Sequence, residues 1–112
     1  MAKSYLSLLA LFALASFAEA QLANIDVVGW VLPYQGTKEF VAQVGQTITF
    51  QWEGGHNVWN HPSLSCDQTG NSLVGATSGS QYTFLASDSS PEGTKMFFAC
   101  NIGDGNHCRR GE

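Results

Sequence analysis

The sequence predicts an all-β protein built as a sandwich or barrel of short strands. The run from Thr47 to Trp52 alternates polar residues with Ile, Phe and Trp, and this period of two is typical of a half-buried strand. Clusters of Gly, Pro, Ser and Asn separate several such runs, as expected for turns between short strands. Only 12% of the residues are charged, whereas exposed amphipathic helices normally carry many Glu and Lys residues.

The N-terminal residues have the pattern of a secretory signal peptide. Lys3 supplies a positive charge, residues 5–17 are apolar apart from two serines, and Ala18 and Ala20 are small residues at the −3 and −1 positions of a cleavage site. The apolar run of about 13 residues is shorter than the ~20 needed to span a bilayer. We therefore expect residues 1–20 to be cleaved and the protein to be secreted, without a transmembrane segment in the mature chain.

Extended segments are predicted along the mature chain, each bounded by turn-forming residues. They cover residues 25–32, 39–44, 47–52, 56–59, 81–85 and 95–100. Residues 63–78 are rich in Ser, Gly, Thr and Asn and are predicted to form a loop with at most a short helical turn. Trp30 and Trp52 fall on predicted strands, so we expect them in the core rather than on a sugar-binding face. A chain of 112 residues has room for one such domain.

The charge balance excludes nucleic acid as a partner. Five Lys and Arg residues stand against nine Asp and Glu residues, which gives a net charge of −4, and so few cations cannot form a basic patch. The chain also contains no Ser/His/Asp pattern, phosphate loop or paired carboxylates in a recognisable context. We therefore do not expect an enzyme.

Three cysteines are the most informative residues, because a secreted protein normally pairs its cysteines. One interpretation leaves a free or intermolecular thiol. The other is a metal site, since Cys100 ends a predicted strand, His107 follows a glycine-rich loop, and His56 follows a Gly-Gly break. Two His and one Cys are the trigonal donor set of type 1 copper sites, which transfer electrons. Cys66 and Cys108 then remain to form a disulfide.

The motifs around these residues resemble those of the phytocyanins, the secreted blue-copper branch of the cupredoxins. Residues 55–58 (Gly-His-Asn-Val) are similar to the segment that carries the family's first ligand. Residues 97–100 (Phe-Phe-Ala-Cys) and 106–112 (Asn-His-Cys-Arg-Arg-Gly-Glu) are similar to its second cluster of ligands. Residues 28–30 and 40–50 also resemble the family's opening strands, so the resemblance covers nearly all of the mature chain.

This resemblance implies a cupredoxin-like Greek-key β-sandwich with one mononuclear type 1 copper. His56, Cys100 and His107 would bind the metal, and Cys66 and Cys108 would form the disulfide. The implied function is transport of single electrons by Cu(I)/Cu(II) cycling. The implied molecule is a monomer whose redox partner is a small molecule or an extracellular protein.

The sequence departs from the family pattern near its end. Glu112 occupies the place of the axial ligand, where the family has Met or Gln, and a carboxylate is expected to favour Cu(II) and lower the reduction potential. The Cys-to-His loop is longer than is usual, and the family continues into one more strand. We therefore expect a C-terminally incomplete domain that lacks its last strand, with any surface anchor lying beyond residue 112. A carbonyl near Gly55, or His61, is the alternative axial donor, although His61 is expected at the surface because Pro62 leads the chain away.

Two other functions agree with the same residues. Two His, one Cys and a carboxylate also suit a tetrahedral zinc site. A metal-free extracellular matrix or cell-wall interaction module on the same fold is the second alternative, because some relatives of this family have lost their ligands. The presence of all three strong ligands in this chain argues against that module.

Overall fold

The computed structural model describes residues 22–91 and 93–112, so the predicted signal peptide at residues 1–20 lies outside the described residues. In the described part, six short strands form two three-stranded sheets, accompanied by one 3-10 helix and one short α-helix. The all-β prediction is confirmed at this level. The elements are β1 (Ile25–Val28), β2 (Thr47–Gln51), β3 (Val58–His61), β4 (Ser72–Gly75), β5 (Ser80–Thr83), the 3-10 helix (Ala86–Ser89), β6 (Phe97–Ala99) and α1 (Asn106–Arg109).

The first sheet has the strand order β1-β2-β5. Strand β1 runs parallel to β2, with Val27 opposite Phe50, and β5 runs antiparallel to β2, with Tyr82 opposite Ile48. The centre of β2 is buried, as its alternating sequence predicts for the apolar positions. This sheet forms one side of the hydrophobic core.

The second sheet has the strand order β4-β3-β6 and carries two of the predicted metal ligands at one end. Strands β3 and β6 are antiparallel, with Trp59 opposite Ala99 and His61 opposite Phe97. This register places the segment before β3 beside the segment after β6. His56 and Cys100 therefore lie at the same end of the sheet.

The hydrophobic core lies between the two sheets. The Phe50 ring of the first sheet is 5.4 Å from the Phe98 ring of the second and 5.2 Å from the Trp30 ring. Trp30 and Trp52 are both buried, so their predicted place in the core is confirmed. The fully buried Cys100 belongs to the same cluster, and its thiol therefore lies in apolar surroundings.

Two predicted strands differ from the structure. The strand expected at residues 25–32 ends at Val28, because Gly29 adopts φ +71°, a left-handed conformation that interrupts a strand. The second short strand predicted at residues 39–44 is absent from the structure, where these residues form no strand and Val41 is 96% exposed. No neighbouring strand of the described structure pairs with them, and a strand without a partner is not stable.

A third difference concerns the predicted loop at residues 63–78, which contains strand β4. Leu73 and Val74 are the only apolar neighbours in this strand, too few to show an alternating pattern. The pairing with β3 decides its conformation, with Trp59 opposite Leu73.

No helix among the described residues is long and apolar enough to cross a membrane.

Candidate metal centre

Four side chains converge at the end of the second sheet. His56 precedes β3, Cys100 follows β6, His107 belongs to α1, and Glu112 comes shortly after that helix. One ligand atom from each of the four lies within 4.8 Å of the other three. This cluster, which we call the metal cluster, could hold a metal ion.

The carboxylate of Glu112 lies between the two imidazoles. Its Oε1 atom is 2.7 Å from Nδ1 of His56, and its Oε2 atom is 3.2 Å from Nδ1 of His107. The Sγ atom of Cys100 is 3.6 Å from the same Nδ1 of His107. Both imidazoles therefore direct their Nδ1 atoms towards one point, which the sulfur and the carboxylate also face.

The metal cluster is screened from solvent unevenly. The Glu112 side chain is wholly buried, whereas the His56 and His107 side chains are 11% and 19% exposed. Cys100 has no exposed surface. The metal cluster therefore contacts solvent through the exposed edges of its two imidazoles.

Burial alters the acid–base properties of the two acidic members of the metal cluster. It raises the pKa of the Cys100 thiol above its ordinary value, while hydrogen bonds from the backbone amides of Asn57 and Ile102 act in the opposite direction. Burial also raises the pKa of Glu112, while the charges of His56 and His107 oppose this rise. Both groups are therefore costly to ionise unless a cation compensates them, and metal binding is coupled to the loss of such protons.

One carboxylate oxygen lacks a hydrogen bond. Both oxygens of Glu112 face Nδ1 of His56, Oε1 at 2.7 Å and Oε2 at 3.0 Å. Only Oε2 is aligned for a hydrogen bond, so the buried Oε1 has none of its own. Buried charges are normally paired, or they coordinate metals. The unpartnered oxygen therefore fits a group that faces a cation.

The backbone of Glu112 holds this side chain in place. Its amide donates to the His107 carbonyl at 3.0 Å, and its carbonyl accepts from the Cys100 amide at 2.9 Å. Gly111, with φ +106°, makes the turn that allows both contacts, in a conformation that other residues rarely adopt. Glu112 is therefore attached to two of the other three members of the metal cluster through its main chain.

A disulfide anchors the helix that carries His107. Cys66 and Cys108 are bonded, with their Cα atoms 5.7 Å apart and a sequence separation of 42 residues. Gly105, at the start of α1, has φ +82°, and a Cβ atom there would lie 3.2 Å from the Cys66 carbonyl oxygen. The close approach of the two segments thus depends on glycine. Cys100 is the free cysteine of the chain.

Asn57 contacts the metal cluster, although its sequence context alone did not single it out. Its amide donates to Cys100 Sγ at 3.5 Å, and its side-chain Oδ1 accepts from the Asn101 amide at 2.7 Å. These two contacts tie the segment after His56 to the segment that carries the thiol. The available signal was its position directly after a candidate ligand, within the Gly-His-Asn-Val motif.

The prediction of a surface position for His61 is wrong. Its exposure is only 2%, because the last residue of β3 faces inward before Pro62 turns the chain. Its Nδ1 donates to the Ser65 carbonyl, its Nε2 lies 2.8 Å from the Asn101 side chain, and the ring does not belong to the metal cluster.

Comparison of the chain with family models, curated proteins and solved structures finds no match. The class of site is therefore defined by its chemistry. It is a buried cluster of one thiol, two imidazoles and one carboxylate, assembled where a two-sheet β domain brings three chain segments together.

Proposed function

We propose that this protein is a secreted type 1 copper protein of the phytocyanin kind, which carries single electrons and turns over no substrate. The observation that supports this most is the convergence of Cys100 Sγ with the Nδ1 atoms of His56 and His107. Two imidazoles and one thiolate are the donor set of blue-copper electron-transfer sites. The disulfide between Cys66 and Cys108 agrees with an oxidising, extracellular location.

The donor types favour copper that changes its oxidation state. Soft thiolate favours Cu(I) and imidazole suits Cu(II), so a site that mixes them satisfies each state only in part. Copper bound there would supply the one-electron chemistry. The residues of the chain supply the rest, since they fix the donors, exclude water and set the polarity around them.

The arrangement of the chain suits a carrier that changes shape little. The thiol belongs to the hydrophobic core, the disulfide restrains α1, and the backbone of Glu112 bonds to both neighbouring ligand segments. Rigid donors keep the geometry the same in both oxidation states, which favours rapid electron exchange. The exposed edge of His107 is where a redox partner, a small molecule or an extracellular protein, would come closest.

The cupredoxin-like Greek-key sandwich is part of the same proposal. Its support is the pairing of two sheets over one aromatic core, with the ligand-bearing segments gathered at one end of the second sheet. The proposed molecule is a monomer.

Glu112 favours zinc as a second candidate. Its carboxylate completes a four-donor set with Cys100, His56 and His107, and such sets of sulfur, nitrogen and oxygen donors suit tetrahedral Zn²⁺. In that case the site would be structural, and its contribution would be folding free energy rather than electron transfer.

Metal titration of the purified mature protein distinguishes these functions. One equivalent of Cu²⁺ should produce an intense blue colour from a copper–thiolate charge transfer, and the colour should disappear reversibly with ascorbate. Thermal unfolding provides the second measurement, because a ligand at a hundredfold excess over its Kd stabilises the folded state by about 2.7 kcal/mol. Stabilisation by Zn²⁺ together with no blue copper form would support the zinc site. Absence of any effect from either metal would support the metal-free interaction module.

A further inference from the structure

A second buried polar group lies behind the metal cluster. His61, at the end of β3, is 2% exposed, and its Nδ1 donates to the Ser65 carbonyl at 2.8 Å. Because Nδ1 carries the proton, Nε2 is the acceptor nitrogen of the ring. It accepts from Nδ2 of Asn71 at 3.2 Å and contacts the side-chain amide of Asn101 at 2.8 Å. We call these four residues the His61 network. The imidazole ring is thus held at both nitrogens.

The His61 network connects two segments that lie next to the metal cluster. Ser65 directly precedes Cys66 of the disulfide, and Asn101 directly follows the free Cys100. A single imidazole therefore links the disulfide loop to the segment that carries the thiol. None of its contacts involves a member of the metal cluster itself.

The connection continues to the sulfur atom through Asn57. The Asn101 side chain contacts His61, and the Asn101 amide donates to Oδ1 of Asn57 at 2.7 Å. The amide of Asn57 in turn donates to Cys100 Sγ at 3.5 Å. The sequence of contacts from His61 to the sulfur therefore passes through Asn101 and Asn57.

We infer that His61 is a positioning residue for the Cys100 sulfur, which it serves by holding Asn101 and thereby the Asn57 amide that donates to that sulfur. This inference deepens the proposed copper function and rests on it for its electrochemical consequence. Hydrogen bonds around the cysteine sulfur are one of the factors that set the potential of such sites. The sulfur carries more negative charge in the reduced site, so a donor to it stabilises the reduced state and raises the reduction potential.

Replacement of His61 removes this support without removing a ligand. His61→Phe keeps a ring of similar size but leaves the buried Asn101 side chain without its partner, so Asn101 and Asn57 shift to find other hydrogen bonds. We expect the copper form of His61→Phe to remain blue. Its reduction potential should be lower than that of the wild type, and its charge-transfer band should move to longer wavelength because the thiolate loses a donor. His61→Gln, whose side-chain amide reaches about the position of Nε2 and can both donate and accept, should restore both properties towards wild-type values.

A measurement on the metal-free protein tests the inference independently of copper. Amide hydrogen exchange, followed by NMR, should become about tenfold faster at Asn57 and Asn101 in His61→Phe, the change expected when a buried hydrogen bond is lost. The Gln variant should regain most of the protection. If the wild type binds no copper, the proposed function fails, and this exchange experiment still decides the role of His61.

The control is Tyr82→Phe, which removes a hydrogen bond from Tyr82 to Asp88 at 2.7 Å in the first sheet. It should leave the potential, the band and the exchange of both amides unchanged. If His61→Phe does not fold, His61→Asn takes its place, since its side chain is polar but too short to reach Asn101, and the same shifts are expected. Wild-type potential, band and amide exchange in a folded variant that lacks the His61 ring would overturn the inference.

Discussion

The metal cluster and the His61 network each centre on buried groups, Cys100 and Glu112 in the first and His61 and Asn101 in the second. Both contain histidine, and they are adjacent in the chain at Cys100 and Asn101, but the chemistry around their imidazoles differs. In the His61 network the imidazole faces only carbonyl and amide groups. In the metal cluster two imidazoles face a thiol and a carboxylate. Neutral hydrogen-bond partners satisfy a buried polar group by themselves, whereas ionisable groups in mutual contact need their charges balanced. The difference therefore lies in the neighbours: His61 faces only neutral groups, whereas His56 and His107 face groups that can ionise and could hold a metal.

The largest expected effect comes from Cys100→Ser, which removes the thiolate from the metal cluster. The blue colour of the copper form should be lost completely, because the charge-transfer absorption requires a copper–sulfur bond. His61→Ala should keep the colour, because His61 is not a ligand. Visible absorption spectra of the two copper-loaded variants test this pair. Retained colour in Cys100→Ser together with loss in His61→Ala would reverse the two assignments.

The second prediction concerns the disulfide, which touches both regions because Ser65 precedes Cys66 and His107 precedes Cys108. The double variant Cys66→Ser, Cys108→Ser should lose about 2–5 kcal/mol of unfolding free energy, since the closed loop no longer constrains the unfolded chain. Denaturant unfolding of the metal-free proteins measures the difference. Mass spectrometry of the non-reduced wild type should show Cys66 linked to Cys108 with Cys100 free. A bridge that includes Cys100 would contradict the copper site.

The third prediction concerns the carboxylate that distinguishes this cluster. Glu112→Met should raise the reduction potential at neutral pH, because a thioether favours Cu(I) more than a carboxylate does. Glu112→Gln should give a smaller change, since an amide oxygen keeps a hard donor in place. Cyclic voltammetry of the three copper forms tests this order. Identical potentials for the wild type and both variants would show that Glu112 is not a ligand.

The smallest expected effect belongs to Tyr82→Phe, which lies outside both regions. Loss of its hydrogen bond to Asp88 should cost about 1 kcal/mol. Burial and the adjacent Asp88 raise the pKa of Tyr82 to about 12. The folded protein therefore holds this proton more strongly than the unfolded chain does. The stabilisation that the Tyr82 hydroxyl gives the folded state is complete below about pH 10 and is lost as the pH rises towards 12. Denaturant unfolding from pH 8 to 12 should show the unfolding free energy of the wild type approaching that of Tyr82→Phe. A difference in unfolding free energy that stays constant over this range would contradict the prediction.

Much of the candidate site was predictable because it depends on residue types at short spacing. Cys100 and His107 are separated by one loop and belong to adjacent elements, so their convergence required little knowledge of the fold. The prediction for His61 failed for a different reason. Whether the last residue of β3 faces the core depends on the partners that β3 acquires, and one of those partners, β4, carries too few apolar residues to be recognised in the sequence.

By itself the sequence determined the all-β class, the burial of Trp30 and Trp52, and the supply of donors for one metal. These follow from local alternation, hydrophobicity and residue chemistry, which do not depend on the segments that each stretch later packs against. Only the tertiary structure decided that β4 pairs with β3, that residues 39–44 stay unpaired, and that the Glu112 carboxylate lies between two imidazoles. Each of these depends on contacts between segments distant in the chain. Strand pairing and burial stabilise these contacts, and a short stretch of sequence cannot form either of them without its distant partners.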